Sequence, residues 1–164
     1  MKMKLSGIRV VEMPPFRAVS SGPRDHDGLF GENGFDQWMQ AHSRFVKDLL
    51  YASPDFMWPE DETNCVWIWA VKDWVAEEDV APYELIEYGG GMFVVATMDE
   101  NDAKDRAAVT RLMVKWIDKS GVFALDERPG HRGMGHMVGC GAIQEKLGIA
   151  QQEVFLPVKF KEKA

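Results

Sequence analysis

Two tryptophans stand two residues apart in an apolar segment and are the strongest candidates for binding chemistry in this chain. Trp67 and Trp69 lie within residues 65–72, CVWIWAVK, where the alternate positions are apolar as well. Residues two apart in a strand share a face, so both indoles should project to the same side. An indole face attracts cations. The pair therefore forms either the wall of a ligand pocket or part of a core beneath a helix, and the pattern alone leaves both interpretations open.

Further wall candidates come from three other aromatic residues, Phe16, Tyr88 and Phe93, each on a predicted strand. Glu84 shares the face of Tyr88, and a carboxylate on an apolar face is costly unless it is paired or hydrogen-bonded. We expect a carboxylate in or beside the pocket, with Glu84 as the first choice and Glu12 or Glu127 next. The alternative for Glu84 is an exposed charge on an edge strand.

The glycine-rich segment 127–136 carries two histidines, His131 and His136, with Cys140 just beyond it. Their H-x₄-H-x₃-C spacing matches no common zinc pattern. We therefore expect neither a metal nor another cofactor, and His136 is instead a candidate polar residue at the pocket lip. Gly89–Gly91 lacks the following helix and the Lys-Ser/Thr of a phosphate loop.

Recognisable catalytic motifs are missing from the sequence. It contains no nucleophile elbow, no HExxH and no dinucleotide-binding turn. A binding module is thus favoured over an enzyme. A hydrolase that uses one carboxylate with a Tyr, Trp or His stays open as the alternative.

Composition narrows the class of partner. The chain has 164 residues, enough for one domain spanning 1–164, and a net charge of −7. That charge disfavours direct binding to nucleic acid through phosphates. With no apolar run of membrane-spanning length, no signal-type apolar region near the start and only two cysteines, we expect a cytoplasmic protein with reduced thiols.

Periodicity predicts an α+β fold. Two segments with apolar residues at three- and four-residue spacing predict helices, and alternating or apolar runs predict strands. The predicted helices span residues 35–50 and 103–119, with a helical turn within 139–148. The predicted strands span residues 7–21 (broken at Pro14-Pro15), 65–72, 83–88, 92–98, 134–138 and 153–160. Loops are predicted at 22–28 and 54–64, and Gly89–Gly91 should close a hairpin between strands 83–88 and 92–98.

The order of these elements repeats. Each half reads strand, helix, strand, strand, which indicates a pseudo-twofold duplication. Since each helix has one apolar side to bury, we expect an antiparallel sheet with both helices on one face.

Four ordered segments resemble the GyrI-like effector-binding domains, which occur in some AraC- and MerR-type regulators and as free-standing proteins. The similar segments are VEMPPFRAV at 11–19, EYGGGMFVV at 87–95, LMVKWIDKSGVF at 112–123 and EVFLPVK at 153–159. The resemblance implies a groove between two pseudo-symmetric halves that takes small amphipathic molecules, with cations and drugs among them. It also implies ligand sensing, ligand sequestration or binding to a protein partner such as a regulator or gyrase.

One departure from the family affects the expected ligand. The family commonly carries a buried glutamate on a late strand, followed two residues on by an aromatic residue. Residues 131–138, HRGMGHMV, contain no such glutamate. We therefore expect either another carboxylate in its place or a less cationic ligand, and a free-standing ligand module without DNA-binding helices.

Overall fold

A computed structural model describes residues 7–48, 53–139 and 141–162 of the chain. The strands are β1 Arg9–Met13, β2 Phe16–Ser20, β3 Asp55–Pro59, β4 Cys65–Ala70, β5 Glu84–Tyr88, β6 Gly91–Asp99, β7 Phe123–Leu125, β8 Met134–Met137 and β9 Gln151–Phe160. The α-helices are α1 His26–Phe30, α2 Phe35–Ala41, α3 Ala103–Lys119 and α4 Gly141–Leu147, with 3₁₀ turns at Ser43–Phe45 and Glu77–Val80. The chain forms two compact units: Pro15–Gly89, called here the central unit, and Met1–Pro14 with Gly90–Ala164, called the terminal unit.

Within the central unit, four antiparallel strands pair in the order β3-β4-β2-β5. Cross-strand partners share a face, so the register assigns Val19, Trp69 and Leu85 to one side. The helices α1 and α2 pack on that side. The buried cluster there consists of Val19, Leu29, Phe35, Met39, Phe45, Trp67, Val71, Val75 and Val80. We call the opposite side, which points away from α1 and α2, the far face of the central unit.

The terminal unit is built on antiparallel strands in the order β1-β6-β9-β8, with β7 paired to β9. The helix α3 packs Met113 and Ile117 against Val94 and Val158. Asp102 caps α3 by accepting hydrogen bonds from the backbone N–H groups of Lys104 and Asp105. The side of these strands that points away from α3 is the far face of the terminal unit.

These observations confirm the α+β class and the antiparallel pairing. The break at Pro14-Pro15 separates β1 from β2, and helix 103–119 has the predicted ends. In each unit the order of elements includes a strand, a helix and two further strands. No helix in the described ranges is long and apolar enough to cross a membrane.

The predicted helix 35–50 is wrong beyond Ala41. The apolar residues are buried as expected, but the chain passes through a 3₁₀ turn and Val46 then bridges Val71. The N–H of Lys47 donates to the carbonyl of Ala70, which gives the backbone a partner outside the helix. Residues 49–50 lie outside the described part of the chain.

Two predicted loops contain regular structure. Helix α1 begins inside the predicted loop 22–28, because Asp25 accepts a hydrogen bond from the N–H of Gly28 and caps it. Strand β3 lies within the predicted loop 54–64 and pairs along its whole length with β4. Acidic residues flank β3, so the local pattern does not indicate a strand, although its partner is close in sequence.

The predicted hairpin at Gly89–Gly91 is wrong. Strand β5 pairs with β2, whereas β6 pairs with β1 and β9. Gly90 has φ +67°, and a Cβ built there would lie 2.2 Å from the carbonyl oxygen of Met13. The glycines therefore serve a close backbone approach rather than a tight turn between paired strands.

Candidate functional site

The far face of the terminal unit combines aromatic, sulfur-containing and ionisable side chains. The register of β6, β9 and β8 places on it the buried residues Phe93, Val95, Met134, His136, Glu153 and Phe155. The rings of Phe93 and Phe155 meet edge to face at a centroid distance of 5.9 Å. This surface has the mixture of apolar walls and few polar groups that small-molecule sites use.

Glu153 is the buried carboxylate of this face and lies near the start of β9. Its carboxylate is buried and forms an ion pair with the guanidinium of Arg9, which extends from β1. His136 on β8 is the direct cross-strand partner of Glu153. A carboxylate and an imidazole thus occupy neighbouring positions on one buried surface.

A loop closes over one end of this face. The His131 ring lies 4.9 Å from the Phe93 ring, and its Nε2 is 3.7 Å from Oδ2 of Asp126. The same Oδ2 is 3.2 Å from Nε of Arg128. Gly91 makes room for this packing, because a Cβ there would lie 2.4 Å from Cε1 of His131.

The charge state of His131 follows from these surroundings. Burial lowers the pKa of His131, and the nearby Arg128 guanidinium lowers it further, while Asp126 and a hydrogen bond with the Met92 backbone act in the opposite direction. The net shift is downward, so the neutral imidazole is favoured. The buried loop histidine therefore holds its place over Phe93 without a positive charge.

The far face of the central unit carries a second aromatic group. Phe16 on β2 lies 4.9 Å from the Tyr88 ring and 6.1 Å from the Phe56 ring. Ala18 and Ile68 lie on the same face and are fully buried. Phe56 is not among the predicted wall residues, because it lies in the segment 54–64 that the sequence predicts as a loop.

The structure places Trp67 and Trp69 on the helix-covered face of the central unit. The Trp67 ring packs 5.7 Å from the ring of Phe35 in α2, and its Nε1 donates to Oδ2 of Asp55 over 2.9 Å. Nε1 of Trp69 is buried and has no hydrogen-bond acceptor within the described residues. Of the sequence-predicted residues, Phe16 and Tyr88 lie on the far face of the central unit, and Phe93 and His136 on that of the terminal unit.

The three carboxylates favoured by the sequence, Glu84, Glu12 and Glu127, are all exposed. Glu84 lies on β5 opposite Ser20, on the far face but at its exposed edge. Glu153 is not among the residues that the sequence analysis singles out. It is followed two residues on by Phe155, so the glutamate-x-aromatic signal that residues 131–138 lack is present in the closing strand.

A cavity near the start of α3, possible metal ligands and the cysteines are the remaining places to consider for a site. A cavity of about 380 Å³ is lined by Asp99, Asp102 and Asp105, among others. Their carboxylates accept hydrogen bonds from the backbone N–H groups of Ala150, Lys104 and Asp99, respectively. Cys140 lies outside the described residues, and within the described ranges no group of three His, Cys, Asp or Glu residues is placed to hold a metal. Burial, together with the charge of Asp61, raises the pKa of the Cys65 thiol.

Comparison with known proteins identifies the architecture. No family model matches the sequence, and no curated protein matches it. The structure is similar to that of a hydrolase from Listeria innocua, with a TM-score of 0.67, 14% identity and 93% of this chain and 91% of that chain covered. It is also similar to the EcmrR C-terminal domain, with a TM-score of 0.58, 14% identity and coverages of 93% and 96%.

A third similar structure is that of SAV2435 bound to tetraphenylphosphonium, with a TM-score of 0.52, 13% identity and coverages of 96% and 94%. At these identities the likeness concerns the fold alone. SAV2435 and the EcmrR domain are GyrI-like fold proteins, and the present chain shares that fold with them.

Proposed function

We propose that this protein binds a small amphipathic molecule, with a lipophilic cation as the favoured class, and serves in ligand sensing or sequestration. The observation that carries the proposal is the buried Glu153 carboxylate on the far face of the terminal unit, a face that also carries Phe155, Met134 and Phe93 further along the strands. A buried carboxylate needs an ionic or hydrogen-bonding partner; Arg9 supplies one in this structure, and a bound cationic ligand would take that place. The aromatic rings add apolar contact area, and a cation over an aromatic face gains about 0.5–2 kcal/mol.

The central unit offers a second aromatic surface to the same class of ligand. Phe16, Phe56 and Tyr88 are clustered on its far face, and Glu84 lies at the edge of that face. The tryptophan hypothesis stays a prediction: binding through Trp67 or Trp69 would require access to the helix-covered side. Similarity to the tetraphenylphosphonium-bound SAV2435 fold supports the choice of a lipophilic cation as the first probe.

The test compares two probes of one shape and opposite charge, tetraphenylphosphonium and tetraphenylborate. Isothermal titration calorimetry on the wild-type chain should show binding of the cation and weaker binding of the anion. Glu153→Gln keeps the size of the side chain, removes its charge and should weaken cation binding at least tenfold. Glu84→Gln is the matched control on an exposed carboxylate, where an ion pair contributes about 0–1 kcal/mol.

The outcomes separate the alternatives. Loss of cation binding in Glu84→Gln but not in Glu153→Gln would transfer the counter-ion role to the central unit. Equal binding of both probes by the wild-type chain would remove the charge argument and leave an apolar site. Failure of both probes to bind would contradict the proposal and favour a protein partner.

Hydrolysis is the second candidate, because Glu153 and His136 are cross-strand neighbours on one face. Directly opposed residues on paired strands have Cβ atoms about 4.5–5.5 Å apart, so a carboxylate and an imidazole are available together for acid–base chemistry. Mass spectrometry of ester and amide compounds incubated with the protein tests this candidate. Turnover that disappears in both Glu153→Gln and His136→Gln supports it, and unchanged compounds contradict it.

A further inference from the structure

Arg9 and Glu153 form an ion pair whose two members differ sharply in exposure. The side chain of Arg9 is 51% exposed, whereas that of Glu153 is 6% exposed. Arg9 is on β1 and Glu153 on β9, with β6 between them. The guanidinium therefore reaches across a whole strand to meet the carboxylate.

This asymmetry determines which partner can leave. Glu153 is fixed within a strand that is paired on both sides, by β6 and by β8. Arg9 is already half in water, and a rotation of its side chain would return the guanidinium to solvent without breaking a backbone hydrogen bond. The buried carboxylate would then need a replacement cation.

We infer that Arg9 acts as a built-in competitor of cationic ligands for Glu153, and so sets the affinity and charge selectivity of the site. This inference rests on the proposed function. A cationic ligand must displace Arg9, so its observed affinity is its intrinsic affinity reduced by the fraction of molecules in which Glu153 is free. A pair with one half-exposed member, worth about 0–1 kcal/mol, corresponds to a reduction of about two- to sixfold.

The competition also selects the chemical class of the ligand. A small hydrated cation offers Glu153 nothing that Arg9 does not already supply. A lipophilic cation adds contacts with Phe155, which lies two residues along β9 from Glu153 on the same face, and beyond it with Phe93, whose ring meets that of Phe155. Arg9 therefore favours bulky aromatic cations over small ones.

The experiment measures dissociation constants of tetraphenylphosphonium and tetraphenylborate for the wild-type chain, Arg9→Gln and Arg9→Gln/Glu153→Gln. Arg9→Gln should bind tetraphenylphosphonium about two- to sixfold more tightly and tetraphenylborate no more tightly. In the double variant the gain should disappear. Arg17→Gln is the matched control, because Arg17 pairs with an exposed glutamate, Glu87, at 3.3 Å in the central unit.

A second measurement distinguishes competition from a structural effect of the substitution. Millimolar methylguanidinium should weaken tetraphenylphosphonium binding to Arg9→Gln, because it refills the vacated position, and should leave wild-type binding nearly unchanged. Arg9→Lys keeps a cation with a different head group and should give an intermediate affinity. Far-UV circular dichroism checks that each variant is folded.

Two failures are distinguishable. If tetraphenylphosphonium binds the wild-type chain and folded Arg9→Gln equally well, or binds Arg9→Gln more weakly, the role of Arg9 is overturned while the proposed function stands. If the probe binds the wild-type chain and every variant too weakly to measure, the proposed function falls and the role of Arg9 falls with it.

Discussion

Replacing Trp67 by phenylalanine should destabilise the central unit far more than the same replacement at Trp69. The two residues share a strand and a face, but their indole N–H groups differ. Nε1 of Trp67 donates to the Asp55 carboxylate at 2.9 Å, whereas Nε1 of Trp69 is buried without an acceptor among the described residues. The pair is therefore a matched comparison of a satisfied and an unsatisfied buried donor.

The magnitudes follow from the deleted atoms. Tryptophan to phenylalanine removes two ring carbons, which contribute about 1.6 kcal/mol of burial at roughly 0.8 kcal/mol per carbon. At Trp67 the change also removes a hydrogen bond to a charged acceptor, about 1.5–3 kcal/mol, for a total of about 3–5 kcal/mol. At Trp69 the half-buried ring loses less area, and removal of an unsatisfied donor offsets that loss, so the free energy of unfolding should change by less than about 1 kcal/mol.

The assay is urea-induced unfolding followed by far-UV circular dichroism, which does not depend on the number of tryptophans. Both variants should retain the m-value of the wild-type chain. Equal destabilisation of the two variants, or greater destabilisation by Trp69→Phe, would refute the hydrogen-bond reasoning.

Three further predictions concern local parts of the structure. The pKa of His131 is lowered in the folded state, so its contribution to stability is complete above about pH 6.5 and is lost as the pH falls towards the folded value. Urea titrations at several pH values should show that the free energy of unfolding falls less with decreasing pH in His131→Gln than in the wild-type chain. A His131→Gln pH profile identical to that of the wild-type chain would contradict the lowered pKa of His131. Gly91→Ala should cost about 1–3 kcal/mol in thermal or chemical unfolding, because φ is +139° and the new Cβ meets His131, whereas Gly141→Ala, with no atom nearby, should be nearly neutral. Asp102→Ala should cost about 1 kcal/mol by removing the cap of α3, and an unchanged melting temperature would argue against that cap.

Elements whose signals are local could be predicted from the sequence. Helix α3 has its apolar spacing and its capping residue within one continuous segment, so its ends agree with the prediction. The segment after Ala41 carries equally good helical spacing, but Val46 pairs with Val71, a partner 25 positions away. A pairing at that distance leaves no mark in the local pattern.

The same distinction applies to the candidate site. Alternation predicts the strands that carry Phe16, Tyr88, Phe93 and His136, but only the pairing register groups Tyr88 with Phe16 in the central unit and Phe93 with His136 in the terminal unit. Strand β4 is apolar on both sides, so its own sequence could not indicate which face the helices cover. That choice, made by the packing of Phe35 and Met39, places Trp67 and Trp69 on the helix side.

The burial of Glu153 is a feature that the sequence of its own strand does not predict. Its position at the beginning of an apolar closing strand is typical of a solvated strand end. The structure instead extends β9 to Gln151, so that Glu153 lies inside the strand between Thr97 and His136. Burial of this carboxylate is a consequence of the strand pairing, which the sequence of β9 alone does not indicate.

Methionine methyl groups test directly whether the ligand contacts the far face of the terminal unit. Met134 lies on that face, whereas Met113 belongs to α3 and Met39 to α2, each buried in the cluster between its helix and the strands. In a sample with ¹³C-labelled methionine methyls, we expect intermolecular nuclear Overhauser effects from the tetraphenylphosphonium ring protons to Met134 and none to Met113 or Met39. Contacts to Met113 or Met39 with none to Met134 would contradict it.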